Sequence, residues 1–198
     1  MANAAVTVML VLIIAVVAAT TEGAQSSSTQ PKWAKKLKTR KKMTSSETVT
    51  NLQFYFHDTV SGENPSAVRI AQATDTNKSL TLFGALLMVD DPLTETPDPN
   101  SKLVGRAQGM YGSSGQQEFG LTMAMCFAFC DGIYDGSSIS IFGKNPALNL
   151  VREMPVVAGT GIFQFARGYA IARTHWFNIM GDAIVEYNVT FLAQQNKS

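Results

Sequence analysis

The chain has 198 residues, of which 45% are hydrophobic and 16% are charged, so it is long and apolar enough to fold as one domain and is not disordered as a whole. Its two cysteines are too few for a disulfide-framework mini-protein. The formal net charge of +1 hides an uneven distribution, because seven of the sixteen basic residues lie within residues 32–42. From Met43 onward nine basic residues face fourteen acidic ones, which argues against nucleic-acid binding by the folded part.

The N-terminal end is typical of a secretory signal. Residues 6–19 form an apolar run that is interrupted only by Thr7, and small residues follow through Ala24. The run is shorter than the ~20 residues that a transmembrane helix needs. We therefore predict a signal peptide over residues 1–24 and secretion of the mature protein, with an uncleaved membrane anchor as the alternative.

A flexible basic linker is predicted over residues 25–48. It begins with a serine-rich stretch and continues with the basic run, whose ordinary interpretation is a solvated tail. The functional alternative is contact with an anionic surface such as a cell-wall polysaccharide. The folded domain is predicted over residues 49–193, and a short tail over residues 194–198.

Five side chains are candidates for covalent modification. Asn77, Asn188 and Asn196 each begin an N-x-S/T sequon, and we predict glycosylation there if the protein enters the secretory route. Cys126 and Cys130 are four residues apart, which in a strand separates their Cα atoms by ~13 Å. Because a disulfide needs less than ~7 Å, we predict two free thiols, packed as small apolar residues.

Alternation of large and small or polar residues, rather than a helical period, dominates the chain after residue 43. In residues 119–129 every odd position is Phe, Leu or Met, and the even positions are Gly, Thr, Ala or Cys. Turn signals separate such segments, among them Asp91-Pro92 and Gly159-Thr160-Gly161. In chain order the predicted strands span residues 52–58, 67–73, 82–90, 103–111, 119–129, 138–142, 151–157, 163–173 and 183–191.

Eight or nine strands joined by short turns predict an all-β sandwich or barrel. The length of the strands and their meandering order favour an eight-stranded antiparallel β-barrel. A barrel of eight strands has an interior that holds side chains or one small ligand.

Familiar catalytic motifs are absent from the sequence. It contains no GxSxG, HExxH, CxxC or GxxxxGK[ST] pattern. Its two histidines, His57 and His175, exclude a three-histidine metal site within one chain, and we expect neither a metal nor another cofactor.

Charged residues on aromatic strand faces are the remaining candidates for a site. Asp58 has the same parity as Phe56, and Arg167 has the same parity as Phe165, while Arg106 lies in a third strand. One interpretation is a structural ion pair between Asp58 and Arg167. The other is a cavity with aromatic walls, an acid and a cation, which suits a planar phenolic ligand. Burial would raise the pKa of such a carboxyl and make it a proton donor or acceptor near neutral pH.

Five ordered strings resemble the plant dirigent proteins, and together they run from about Leu52 to Phe191. They are NLQFYFHDTVSG, FGALLMVDDPLT, VGRAQGMYGSS, GKNP and MPVVAGTGIFQFARGYA. The resemblance implies an eight-stranded antiparallel β-barrel that is secreted to the apoplast, glycosylated and assembled as a homo-oligomer, either a dimer or a trimer.

Two activities are implied by the resemblance. In the first, the protein has no catalytic centre of its own: a laccase or peroxidase makes phenoxy radicals, and the barrel orients two monolignol radicals so that they couple with one stereochemistry in lignan biosynthesis. In the second, the protein is a hydro-lyase that removes water from an isoflavanol and stabilises a quinone methide on the way to a pterocarpan. A wall-binding or defence module is a third alternative, motivated by the basic run.

The resemblance also assigns residues. Asp58 matches the aspartate of the His-Asp motif, Tyr111 the tyrosine of Gly-Arg-Ala-Gln-Gly-x-Tyr, and Arg167 the arginine of Ala-Arg-Gly. We therefore predict Asp58 and Arg167 as catalytic residues. The predicted substrate-binding residues are Tyr111, Arg106, Phe56 and Phe165. Members that guide pinoresinol formation have an aspartate after Gly-Thr-Gly, and Ile162 stands there in this chain, which argues against that product.

Overall fold

A computed structural model describes residues 47–194 of the chain. The predicted signal peptide, nearly all of the predicted basic linker, and the sequon at Asn196 lie outside the described residues. The strands are β1 Glu47–Asp58, β2 Ala67–Ala71, β3 Leu86–Thr94, β4 Leu103–Ser113, β5 Leu121–Phe129, β6 Ser138–Asn145, β7 Val151–Thr160, β8 Arg167–Phe177 and β9 Ala183–Gln194. Short 3₁₀ turns cover Thr76–Lys78, Gly132–Tyr134 and Gly161–Phe163. Within residues 47–194 no helix is long and apolar enough to cross a membrane.

Eight of these strands close into an antiparallel barrel. Hydrogen-bonded neighbours follow the order β1-β9-β8-β7-β6-β5-β4-β3. The ring closes where β1 pairs with β3, with Tyr55 opposite Thr94 and Phe56 opposite Leu93. Strand β2 adds to the other half of the same edge of β3, outside the ring. The prediction of an eight-stranded antiparallel β-barrel is therefore confirmed.

Strand β3 begins and ends later than the sequence predicted, and it contains the Asp91-Pro92 pair that was interpreted as a turn. Pro92 lies opposite Arg106 of β4. The Asp90 N–H points away from β4 and donates to the Ser66 carbonyl at 2.9 Å, so the nitrogen of Pro92, two residues on, faces the same side. There the pairing with β2 has ended and the pairing with β1 is only starting. A proline is tolerated at such a gap because no ladder hydrogen bond is lost.

Strand β8 begins at Arg167, four residues after the predicted start. Phe163 instead ends a 3₁₀ turn, in which Gln164 N–H donates to the Gly161 carbonyl at 3.4 Å. Phe165, which follows, has a positive φ of 61°. Phe163 is nevertheless buried, because its ring packs edge-on against Phe191 at 4.9 Å. A buried turn residue thus imitates one position of a strand pattern.

Aromatic rings fill the middle of the barrel. Phe54 stacks on Tyr187 with ring centroids 5.8 Å apart, and Phe127 meets both rings edge-on. Phe56 is also buried and contacts the Tyr187 ring at 5.9 Å. Each such pair is worth about 0.5–1.5 kcal/mol beyond the burial of its surface. Phe56, which was expected to line an open cavity, therefore packs against neighbouring rings and is part of the core.

Two glycines permit the close approach of neighbouring strands. A Cβ atom on Gly168 would lie 2.1 Å from the Thr190 carbonyl oxygen of β9. A Cβ atom on Gly109 would lie 2.2 Å from the Ala124 carbonyl oxygen of β5, and φ at Gly109 is +149°. These glycines have a structural reason to be in the strands, which does not involve a ligand.

Candidate functional site

The strands run alternately up and down, so each end of the barrel collects a defined set of strand termini. Strands β1, β4, β6 and β8 end, and β3, β5, β7 and β9 begin, at one end. We call this the polar end, because the interior side chains of Asp58, Tyr111, Asn145 and Arg152 lie there. The other end, where β8 begins and β3 ends, is called the opposite end.

Asp58 and Tyr111 are in direct contact at the polar end. Asp58 is the last residue of β1 and follows Phe54 and Phe56 on the interior face. The Tyr111 hydroxyl donates a hydrogen bond of 2.8 Å to Asp58 Oδ2. Burial raises the pKa of Asp58 to about 6, the hydrogen bond from Tyr111 partly opposes this shift, and the charge of Asp182 adds to it. Burial and the neighbouring carboxylate raise the pKa of Tyr111, which keeps this phenol a proton donor.

Asp91 is a second interior acid, which the sequence analysis missed. It lies between Val89 and Leu93 on the interior face of β3 and is 0% exposed. Among residues 47–194 neither of its carboxyl oxygens accepts a hydrogen bond. Burial and then the charge of Asp58 raise its pKa to about 8. Asp91 is therefore protonated at neutral pH, and the alternation Val89, Asp91, Leu93 was the signal that could have found it.

A buried arginine, also missed, brings a positive charge to the same end. Arg152 on β7 donates from Nε to Asn145 Oδ1 at 3.1 Å. Its Nη1 donates to the Asn149 carbonyl at 3.1 Å and to Thr174 Oγ1 at 2.6 Å. Three acceptors from β6, the β6–β7 loop and β8 thus orient one guanidinium. Burial lowers the pKa of Arg152 from its ordinary value.

The phenol of Tyr187 lies within the electrostatic reach of all these charges. Burial is the main reason that its pKa is raised; Arg152 opposes the shift, and Asp58 and Asp91 both add to it. The polar end therefore contains one acid ionised above about pH 6, one acid neutral until about pH 8, a donating phenol and a guanidinium. Two carboxyls with separated pKa values are the arrangement that general acid–base chemistry requires.

Arg167 and Phe165 lie at the opposite end and are not brought to Asp58. On β9, Asp58 is opposite Ala183 and Arg167 is opposite Leu192, nine residues further on. At ~3.3 Å per residue that is about 30 Å of strand. Arg167 and Phe165 border an open surface depression of about 630 Å³. At this separation Asp58 and Arg167 form neither an ion pair nor a shared cavity. Parity along the sequence predicts which face of a strand a side chain occupies, but it does not predict which end of the barrel the side chain is near.

The other predicted site residues occupy three different environments. Tyr111 is in the site, as described above. Phe56 belongs to the packed core beneath it. Arg106 lies on the outer face of the barrel, where its Nε donates to Asp90 Oδ1 at 2.6 Å in a half-exposed ion pair, so it does not face the interior acids.

His57 has a structural environment on the other face of β1. Its Nε2 lies 2.6 Å from Thr94 Oγ1, and the Thr94 hydroxyl donates to the Thr96 carbonyl at 2.7 Å. Since that hydroxyl proton is used, the proton of the first contact belongs to His57 Nε2. Burial lowers the pKa of His57, so the ring is a neutral donor that ties β1 to β3.

The described modification candidates are on the outside. Asn188 is on the outer face of β9, and its Oδ1 accepts from Asn51 Nδ2 at 2.8 Å. Asn77 is exposed in the turn Thr76–Lys78. The two cysteines are free; Cys126 is half-buried, whereas Cys130 is exposed and is not packed as predicted. In the described part of the chain no group of three or more His, Cys, Asp or Glu side chains is placed to hold a metal ion.

The protein is thus a small antiparallel β-barrel with a cluster of acids, phenols and an arginine at its polar end. The model of the dirigent-like protein family matches residues 49–192, and the chain belongs to this family. It is 60% identical over 185 residues to dirigent protein 23 of Arabidopsis thaliana, covering 93% of this chain and 95% of the relative. It is 51% identical over 145 residues to pterocarpan synthase 1 of Glycine max, covering 72% and 78%.

Among solved structures the chain resembles the pterocarpan synthase dirigent protein GePTS1. The TM-score is 0.72 and the identity is 42%, over 83% of this chain and 100% of that one. A second pterocarpan synthase dirigent protein, PsPTS1, gives a TM-score of 0.70 at 43% identity, over 78% and 99%. These relatives agree with the fold and the family, and they leave the reaction of this chain to be argued from its own residues.

Proposed function

We propose that the protein removes water from a phenolic alcohol of the isoflavanol type at the polar end. The observation that carries the proposal is the pair of interior carboxyls, Asp58 and Asp91, whose burial costs stability and is not compensated by an ion pair between residues of the described chain. The names of the pterocarpan synthase relatives support the same reaction class. This activity is the alternative to radical coupling that the family resemblance implies.

The steps follow from the protonation states. Asp91 donates its proton to the leaving hydroxyl, the carbon–oxygen bond breaks, and water departs. Asp58, ionised above about pH 6 and held by Tyr111, accepts the proton of the conjugated phenol, so the product of this step is a neutral quinone methide. Arg152 stabilises negative charge as it develops on the phenol oxygen. A second phenol hydroxyl of the substrate then adds to the carbon and gives its proton to Asp91, while Asp58 returns its proton to the quinone methide oxygen, which restores the phenol and both acids.

The proposal is tested with the purified protein and a 2′-hydroxyisoflavanol, without any oxidase. We expect a product lighter by one water and formed faster than in buffer, as measured by liquid chromatography and mass spectrometry. The Asp135→Asn variant is a control, since Asp135 is exposed in a loop at the opposite end, and it should retain the wild-type rate. Formation of the product at the buffer rate for a series of such alcohols would contradict the proposal.

Stereochemical guidance of radical coupling is the second candidate, and the 60% identity to a protein named as a dirigent protein favours it. In this case a separate laccase or peroxidase supplies the phenoxy radicals. A preference of 100:1 between two coupling modes needs a difference of only ~2.7 kcal/mol between transition states. The same protein is added to laccase and coniferyl alcohol, and chiral chromatography of the products decides: racemic products from every monolignol would exclude this candidate.

A row of exposed apolar side chains on the outer face supports a homo-oligomer, which we also propose. Val68, Met88, Met110, Ala124 and Phe142 lie directly opposite one another on β2 to β6. Apart from Ala124 they are 39–56% exposed. A continuous apolar row of this kind on a protein surface is typical of an interface.

The row is tested by introducing charge into it. We expect the Met110→Glu and Phe142→Glu double variant to be a monomer, whereas the wild type is larger, as measured by light scattering after size-exclusion chromatography. Desolvation of two carboxylates in an interface costs several kcal/mol, and the apolar contacts of Met110 and Phe142 are lost as well. Ile133→Glu, at a 78% exposed position outside the row, is the matched control and should leave the assembly intact. A wild-type monomer, or a double variant of wild-type size, would refute this interface.

A further inference from the structure

Two loops at the polar end are joined by a single carboxylate. Residues 59–66 connect β1 to β2, and residues 178–182 connect β8 to β9. Asp182 Oδ1 accepts from the backbone N–H groups of Val60 at 2.9 Å and Ser61 at 3.0 Å. Its Oδ2 accepts from the Ser61 hydroxyl at 2.6 Å and from Asn178 Nδ2 at 2.9 Å. All four hydrogen bonds of this half-buried side chain therefore go to loop atoms.

The loop that Asp182 holds connects the two interior acids. It leaves β1 directly after Asp58, and Thr59 and Ser66 close its base: Ser66 N–H donates to the Thr59 carbonyl at 2.8 Å, and Thr59 N–H donates to Ser66 Oγ at 3.1 Å. The Ser66 carbonyl then accepts from Asp90 N–H at 2.9 Å, one residue before Asp91. A shift of this loop would therefore move both Asp58 and Asp91.

Loop 178–182 is held in shape by hydrogen bonds of its own, which place Asp182 for its contacts with loop 59–66. Asn178 Oδ1 accepts from the N–H groups of Met180 at 2.9 Å and Asp182 at 3.0 Å. Gly181 has φ of +102°, and a Cβ atom there would lie 3.0 Å from Cγ2 of Val60. The two loops thus pack closely, in addition to sharing the Asp182 hydrogen bonds.

We propose that Asp182 is a positioning residue that clamps loop 59–66 against loop 178–182 and so sets the geometry and the water access of the Asp58–Asp91 pair. The inference deepens the proposed function and rests on it for the role of the two acids. The clamp has physical readouts of its own, which do not depend on any substrate.

The direction of the electrostatic effect can be stated from the groups around Asp58. The titratable groups that face it are Tyr111 from β4, Asp91 from β3, Tyr187 from β9 and Asp182 from the loop. Because the charge of Asp182 raises the pKa of Asp58, removing that charge lowers it. Opening the loop also admits water, which lowers the pKa of both interior acids toward the ordinary value.

The test compares two substitutions of Asp182 with a control. Asp182→Ala removes charge and clamp, whereas Asp182→Asn removes the charge and keeps one carbonyl oxygen for the two backbone N–H groups. Asp135→Asn makes the same charge change at the opposite end of the barrel. Hydrogen exchange measures how well the backbone amides of Val60 and Ser61 are protected, and carbon-detected NMR titration measures the pKa values of the Asp58 and Asp91 carboxyls.

We expect Asp182→Ala to speed exchange of both amides by at least about tenfold, because hydrogen bonds to a charged acceptor are lost. Asp58 and Asp91 should both titrate lower than in the wild type, by about half a pH unit or more. Asp182→Asn should keep the amides protected and lower the pKa of Asp58 alone, and Asp135→Asn should change neither quantity.

Unchanged carboxyl titrations in a folded Asp182→Ala variant would overturn the proposal, since a merely structural loop contact would alter exchange alone. Should that variant fail to fold, Ser61→Ala removes one of the four hydrogen bonds and is expected to speed exchange of the Val60 amide. Wild-type exchange in Ser61→Ala would overturn the clamp as well. If the isoflavanol assay fails while these shifts are observed, the proposed function is wrong and the clamp stands.

Discussion

Replacing Asp58 with asparagine is expected to slow the removal of water by about 10²- to 10⁴-fold, the usual contribution of a general acid or base. The barrel should remain folded, because the amide oxygen of the introduced side chain can still accept the hydrogen bond that the Tyr111 hydroxyl donates. In the wild type the rate should rise as the pH passes about 6, where Asp58 ionises, and fall above about 8, where Asp91 loses its proton. These are apparent values of a coupled pair.

The pH profile distinguishes proton transfer from simple binding. Asp58→Asn should remove the acidic limb of the profile, whereas Tyr111→Phe should shift that limb to higher pH, because the Tyr111 hydrogen bond lowers the pKa of Asp58. Steady-state rates from about pH 4.5 to about pH 9 measure both, a range that spans the ionisation of the two acids. A wild-type rate in Asp58→Asn would remove the acid–base mechanism, whatever the barrel binds.

The second large effect concerns stability. Asp91→Asn is expected to raise the unfolding free energy at pH 8 and to leave it nearly unchanged at pH 4. In the unfolded chain Asp91 ionises near its ordinary pKa of 3.8, but in the folded protein it does so only near 8. Between these values the folded state binds more protons than the unfolded state, so the wild type loses stability as the pH rises, by about 1.4 kcal/mol for each unit of separation.

Urea unfolding of the wild type and Asp91→Asn at pH 4, 6 and 8 tests this expectation. Asp58, whose pKa is also raised, contributes in the same direction up to about pH 6, and His57, whose pKa is lowered, contributes in the opposite direction below 6.5. The difference between the two proteins at each pH isolates Asp91. Equal unfolding free energies of the wild type and Asp91→Asn at pH 8 would mean that burial of Asp91 does not destabilise the folded protein. A gain in stability together with a loss of activity is the signature of a functional residue.

Much of the architecture can be predicted from alternation along the chain. A period of two residues is a local property. It separated the bulky side chains of β5, which the structure buries, from the small ones, and it placed Asp58 on the same face as Phe56. All nine strands were predicted within a few residues of their observed bounds. The family resemblance added Asp58 and Tyr111 as separate candidates, and the structure joins these two by a hydrogen bond.

The composition of the site depends on properties that are not local. Alternation says which face a side chain occupies, but its height in the barrel depends on strand register. Register is set by pairing between residues as distant in the sequence as Glu47 and Gln194. Parity therefore suggested that Asp58 and Arg167 share a site, but strand register places them at different ends of the barrel. Asp91-Pro92 was interpreted as a turn because proline usually interrupts a strand. Here it lies within β3, at the gap between the pairings of β3 with β2 and with β1. Arg152 is oriented by acceptors on its neighbouring strands β6 and β8 and on the β6–β7 loop, contacts that depend on strand register and loop shape and not on alternation.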